Sequence, residues 1–175
     1  SVNLWDTNRK VGYAATKLGA FSATATSVEN NLDDGTWSEV EAAVNFLDDT
    51  VPDPVLSVGV AGDKLYLGTK NGAYRFPLNA DGTPDASGRE LVAKTTGHRI
   101  QDIIVSGTGR VALVSPLSVV IAQPDGDSWT VDSIPFVALP NRVGERVSAT
   151  WTGGSSELLV LAGTQGVGVL YPERL

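Results

Sequence analysis

One hairpin signal recurs four times along the chain, and that recurrence constrains the fold more than any other feature. The segments VGYAATKLGAFSATA (11–25), KLYLGTKNGAYRFPL (64–78), VALVSPLSVVIAQP (111–124) and LLVLAGTQGVGVLYP (158–172) align. Each reads as an apolar strand, a small hydroxyl residue, a tight turn and a second strand. The hydroxyls Thr16, Thr69, Ser115 and Thr164 fall 53, 46 and 49 residues apart. Gly19, Gly72, Ser118 and Gly166 mark the turns, where a hairpin often needs a positive φ that a β-branched residue resists. Regular spacing of this kind identifies a repeat protein.

Each repeat holds more than one hairpin. Short apolar strands closed by Gly or Asn turns precede the four hairpins, in SVNLWDTNR (1–9), VLSVGVAGD (55–63), IQDIIVSGTGR (100–110) and RVSATWTGGSSE (146–157). Further candidate strands follow them, GRELVAK (88–94) in the second repeat and SWTVDSIPFVAL (128–139) in the third. Four strands per unit of this length suit a propeller blade. The expected fold is therefore all-β and β-propeller-like, with about four four-stranded blades in a single domain or propeller segment spanning 1–175. The repeats run at about 1–53, 54–98, 99–145 and 146–175. Apolar pairs such as Val58/Val60, Leu65/Leu67, Ile104/Val120 and Val160/Val169 are expected to fill the layers between blades.

Two repeats depart from the pattern. Between Glu29 and Asp53 the first carries eight acids and no base. Asp33, Asp34, Glu39 and Glu41 in that insertion are candidate contacts for a partner, beside the plainer reading of a solvated face. Ser38–Glu41 resembles a capping box, yet Val40, Ala42, Val44 and Phe46 alternate as an outer strand would; strand and short helix both remain open over 38–48. The fourth repeat supplies three strands (146–152, 158–163, 167–171), so the last blade is expected to be incomplete. Gly166, Val167, Val169 and Tyr171 would then form an exposed edge, which natural sheets avoid, and another protein chain or a second copy would complete the ring.

Specific resemblances follow from these segments. LYLGTKNGAYRF (65–76) resembles the hairpin of bacterial propellers, including the sensor propellers of two-component regulators. QPDGDSWTV (123–131) and DDGTWSEV (33–40) resemble the Asp-box turn of sialidase-like propellers, with Ala122 and Pro124 standing where that motif has Ser and Asp. The resemblance implies a propeller scaffold and a packing role for Trp37 and Trp129. It implies no particular activity, because propellers host many functions.

The residues themselves offer little chemistry. Without cysteine, disulfides and thiolate zinc sites are excluded. His98 is the single histidine, which rules out multi-histidine metal sites and disfavours a Ser-His-Asp triad; it is expected as an exposed loop residue. Sialidase chemistry would need clustered arginines, whereas Arg9, Arg75, Arg89, Arg99, Arg110, Arg142, Arg146 and Arg174 fall at different blade phases. Asn79, Asp81 and Asp85 place oxygen side chains at spacings that can wrap calcium, although a polar turn needs the same residues. Calcium is thus the one weak cofactor candidate, and no catalytic residue is assigned. The Gly-rich GTGR (107–110) and GTQGVG (163–168) lead into no helix and are expected as turns rather than phosphate cradles. Trp5 and Trp151 recur at similar phases, as packing residues or as aromatic contacts at a rim.

A net charge of −7 and a pI near 4.6 give no basic field for nucleic acid. No apolar run reaches the roughly 18 residues of a membrane helix, and SVNLWDTNRK has no signal-peptide pattern. Compartment is weakly determined, with an extracellular, cell-surface or periplasmic setting slightly favoured. A non-catalytic propeller module binding a protein or polymer, within a larger assembly, is the leading function. A structural subunit of a surface appendage and a metal-dependent hydrolase or lactonase-type propeller are the alternatives.

Overall fold

The computed structural model describes residues 2–6, 8–9, 11–16, 19–24, 38–42, 54–125, 128–135, 147–153, 157–163 and 166–172. These form four antiparallel sheets, each made of strands consecutive in sequence. Sheet 1 contains β1 (Val2–Asp6), β2 (Val11–Thr16), β3 (Gly19–Thr24) and β4 (Ser38–Ala42). Sheet 2 contains β5 (Val55–Ala61), β6 (Lys64–Thr69), β7 (Ala73–Pro77) and β8 (Glu90–Leu91). Sheet 3 contains β9 (Asp102–Val105), β10 (Val111–Val114), β11 (Ser118–Asp125) and β12 (Ser128–Pro135). Sheet 4 contains β13 (Ser148–Trp151), β14 (Leu159–Gly163) and β15 (Gly166–Leu170), and is three-stranded. The fold is all-β and propeller-like, with blades arranged as the repeat predicts.

The recurring hydroxyl closes the first three hairpins. Thr16, Thr69 and Ser115 donate to the carbonyls of Gly19, Gly72 and Ser118 at 3.1, 3.1 and 2.9 Å. Thr69 and Ser115 also accept backbone N–H groups of the turn, from Asn71 and Ser118. A small hydroxyl two or three residues from a turn amide can do both jobs. Gly72 takes φ +153°, as the sequence suggested. Ser118 does not share it: Lys94 is the only non-glycine residue at positive φ among those described.

Alternation along each strand gives every sheet two apolar faces, and three layers join the four sheets in series. Tyr13, Ala15 and Ala20 of sheet 1 pack on Val55, Val58, Leu65, Leu67 and Phe76 of sheet 2. The opposite face of sheet 2, with Ala61, Tyr66 and Ala73, packs on Ile103, Val111, Leu113, Val120 and Ala122 of sheet 3. Ala112, Val114, Val119 and Ile121 then pack on Leu159 and Leu161 of sheet 4, with Ala149 and Trp151 alongside. Among the described residues no corresponding apolar layer joins sheet 4 to sheet 1.

Several expectations need correction. Ile104 and Val120 do not share a layer, since Val120 faces sheet 2 and Ile104 faces sheet 4. Their register explains it: Ala112 opposes Ile104, whereas Leu113 opposes Val120, and one position along a strand reverses the face. Residues 38–42 form a strand rather than a helix, paired with β3 through a bulge at Ala20/Phe21. The fourth strand of sheet 2 is only two residues long, because Val92–Gly97 turns away through β-turns instead of continuing over 88–94.

Candidate functional site

The candidate polar clusters among the described residues are engaged in structural bonds. In the loop after β7, the Asp81 carboxylate accepts from the Thr83 amide and hydroxyl at 2.9 and 2.7 Å. Asp85 does the same for Ser87 at 2.9 and 2.6 Å, capping a single 3-10 turn at Ala86–Gly88. These bonds hold both carboxyl groups below the usual aspartate range. Asn79 donates its side-chain amide to Thr83. The loop's tip also fastens two sheets: the buried Tyr13 hydroxyl donates to the Gly82 carbonyl at 2.6 Å. Burial pushes that phenol up to about 12, so it stays a donor at neutral pH. Gly82 sits at φ +84°, and a Cβ there would lie 2.7 Å from a Val11 methyl.

His98 is half-buried rather than exposed, with Nδ1 3.0 Å from the Ser118 hydroxyl, which lies 2.9 Å from that of Ser115. Backbone bonds from Gly97 to Asn71 and from Ile100 to Thr69 tie the same loop to the β6–β7 turn. The histidine thus bridges the turns of sheets 2 and 3, and among the described residues no carboxylate joins it.

Glu157, only 4% exposed, latches sheet 4 to sheet 3. It accepts from the Thr108 hydroxyl and amide, with Arg110 at 3.9 Å. The Thr108 hydroxyl bond is the main reason its carboxyl lies below the usual glutamate range, assisted by Ser106 and Arg110. A carboxylate whose folded value is depressed stabilises the fold above its unfolded pKa, and that contribution is lost as pH falls through the folded value. Glu157→Gln is therefore expected to cost about 1–3 kcal/mol near neutral pH and to flatten the acid limb of stability below about pH 4.5. Chemical denaturation of both proteins between pH 3 and 7 checks this.

The uncovered surface lies on sheet 4. Register makes corresponding positions identifiable. The pairs Ala15↔Ala20, Gly68↔Ala73, Val114↔Val119 and Ala162↔Val167 all flank the hairpin turn on the same side. One step further, Ala112↔Ile121 corresponds to Val160↔Val169. In sheets 1 to 3 the apolar members of these pairs are buried under the next sheet. In sheet 4, Val167 is 68% exposed and Val169 49%, with Val160 and Ala162 half-buried beside them. Tyr171, just beyond β15, is 46% exposed. Among the described strands β15 pairs with β14 alone, leaving its other edge open.

The remaining predicted residues are distributed elsewhere. Trp151 occupies the layer between sheets 3 and 4, with its indole N–H donating to the Ile104 carbonyl at 3.0 Å. Trp5 stands at the corresponding register position of sheet 1, since Trp5 opposes Gly12 as Trp151 opposes Leu159. Glu39 and Glu41 lie on β4 opposite Phe21 and Ala20. Asp33, Asp34, Trp37 and Thr164 lie outside the described residues. The two Asp-box-like segments fall between the third and fourth strands of sheets 1 and 3, where Asp125 opposes Ser128. Thr150 and Val160, which share the uncovered face with Val169, were not singled out as binding residues from sequence; the register to Val169 is the signal that links them.

No protein-family profile matches this sequence, and no curated protein matches it. Solved structures do. The chain is similar to the extracellular domain of a proposed one-component system of B. thetaiotaomicron, with a TM-score of 0.61 and 11% identity over 96% of this chain. A second structure, of the extracellular domain of a proposed hybrid two-component system from the same organism, gives 0.59 and 9% over 95%. This chain spans 21% and 20% of those chains. At such identity the likeness is one of fold.

Proposed function

We propose that this chain is a non-catalytic interaction module, a set of propeller blades that binds another protein through its fourth sheet. The observation that carries this reading is the exposure of Val167 and Val169 on β15 and of Tyr171 just beyond it, at and beside positions that are buried in the other sheets. An apolar strand with a free edge is a ready template for added backbone pairing and for apolar contact. The described acids, hydroxyls and histidine support the non-catalytic part, being tied into turns and inter-sheet latches. The fold shared with extracellular domains of signalling systems supports an extracellular or surface setting and a sensor-type binding role.

The test is the molar mass of the species isolated from its source under native conditions. A mass above that of its own polypeptide is expected, falling when Val167→Lys and Val169→Lys are introduced together. An unchanged mass in that double variant would exclude the fourth sheet as the surface that holds a separate protein. Turnover of a sialoside or a lactone would exclude the non-catalytic reading.

A further inference from the structure

We infer that the occupant of the fourth sheet is a further blade-type antiparallel sheet, contributed from outside these 175 residues and stacked face to face on Thr150, Val160 and Val169. This rests on the reading of sheet 4 as an interaction surface and specifies what binds there and how. The three internal layers give the reasoning. Each outward face is met by the first three strands of the following sheet, Phe76 of β7, Val120 and Ala122 of β11 and Leu170 of β15 included. Val55 and Val58 of β5 with Leu65 and Leu67 of β6 cover sheet 1. Ile103 with Val111 and Leu113 covers sheet 2. Trp151 with Leu159 and Leu161 covers sheet 3. The approach is close enough that a Cβ on Gly59 would lie 2.5 Å from an Ile103 methyl.

Gly59, Ile104 and Thr150 are register equivalents, opposite Tyr66, Ala112 and Val160. The first two sit beneath a following sheet, while Thr150 is exposed. Ser148 is also exposed on that face, so the open surface crosses all three strands and is not confined to the edge. A strand added beside β15 would leave Thr150 and Val160 uncovered; a stacked sheet covers the whole row. Sheet 1 of a second copy is a poor candidate, because Gly12, Ala14 and Ala23 on its outer face are already buried. Dispersion and burial both favour a close-packed apolar partner over solvent on such a face.

These 175 residues hold no cysteine, so within them each introduced thiol reports a single position. Thr150→Cys, Val160→Cys and Val169→Cys are made singly, with Val119→Cys as a buried control. Maleimide labelling rates are compared between the isolated 175-residue chain and the protein as its source cell produces it. The expected result is at least a tenfold slowing at all three positions in the native setting. A bifunctional thiol crosslinker attached to the Val169→Cys variant should then reach a strand from outside these residues. Slowing at Val169→Cys alone would mean an added edge strand, overturning the stacked sheet while leaving sheet 4 an interaction surface. Crosslinking to a second copy would likewise overturn the inference. Equal rates at all three positions would overturn both readings. If Val160→Cys misfolds, Thr150→Cys still separates the outcomes, since an edge strand does not reach β13.

Discussion

Val119→Lys is expected to lower the thermal midpoint of the chain by roughly 8 °C or more, while Val167→Lys, at the corresponding position one repeat later, should leave it within about 2 °C. Val119 is fully buried between sheets 3 and 4, against Leu159 and Leu161. An ammonium there loses its hydration with no described anion in that layer to receive it, a cost above about 4 kcal/mol. Domains of this size are stable by only about 5–15 kcal/mol, and a loss of about 4 kcal/mol lowers the midpoint by roughly 8–16 °C. Val167 is 68% exposed, so a lysine at that site keeps its water, and exposed substitutions usually stay within about 0.5 kcal/mol. Thermal denaturation followed by circular dichroism decides the matter. A large loss in the isolated Val167→Lys protein would show that the fourth face is already covered.

Gly68→Ala is the second large effect, expected to cost about 2–3 kcal/mol and to lower the midpoint by roughly 4–12 °C. The reason is space rather than backbone freedom. A Cβ on Gly68 would lie 2.2 Å from the Ser57 hydroxyl and 2.9 Å from the Ile100 carbonyl oxygen. Those two atoms bond β5 to the segment that leads into β9, Ser57 donating to Ile100 at 3.2 Å. The methyl must displace that bond or push the following sheet away. Gly59→Ala is the useful comparison, because its Cβ meets only side chains, the branched methyl of Ile103 closest, so the clash displaces no hydrogen bond. It should cost about 1 kcal/mol. Equal losses for the two variants would argue against a tighter approach at Gly68.

Much of the architecture was legible because its determinants are local. The clasp at Thr16, Thr69 and Ser115 uses atoms three residues apart, so its signature sits within one hairpin. Strand pairing followed from the same hairpins. Which face a side chain occupies was less legible, since a single-residue offset reverses it; Ile104 and Val120 show this. The latches between sheets were not visible at all. Glu157 reaches Thr108 across 49 residues and Trp151 reaches Ile104 across 47, about one repeat, and no short motif records such a pairing. His98 was read as exposed for the same reason: its partner Ser118 belongs to the next sheet. The open edge at Gly166–Leu170 was legible from the count of strands, but the breadth of the open face required the register across β13 and β14.

Because every sheet is a meander of consecutive strands whose apolar layers, among the described residues, join it only to its neighbours in the series, the molecule behaves as a short one-dimensional array. Sheets 2 and 3 each have a described apolar layer on both sides, whereas sheet 4 has one. Its backbone amides should therefore exchange with solvent first, by fraying from that end, and those of β6 and β10 last. A newly synthesised chain can complete each blade before the next emerges, since few contacts await distant sequence. Cooperativity then grows with the number of blades in contact, and whatever settles on the fourth sheet would also slow the opening of the second and third.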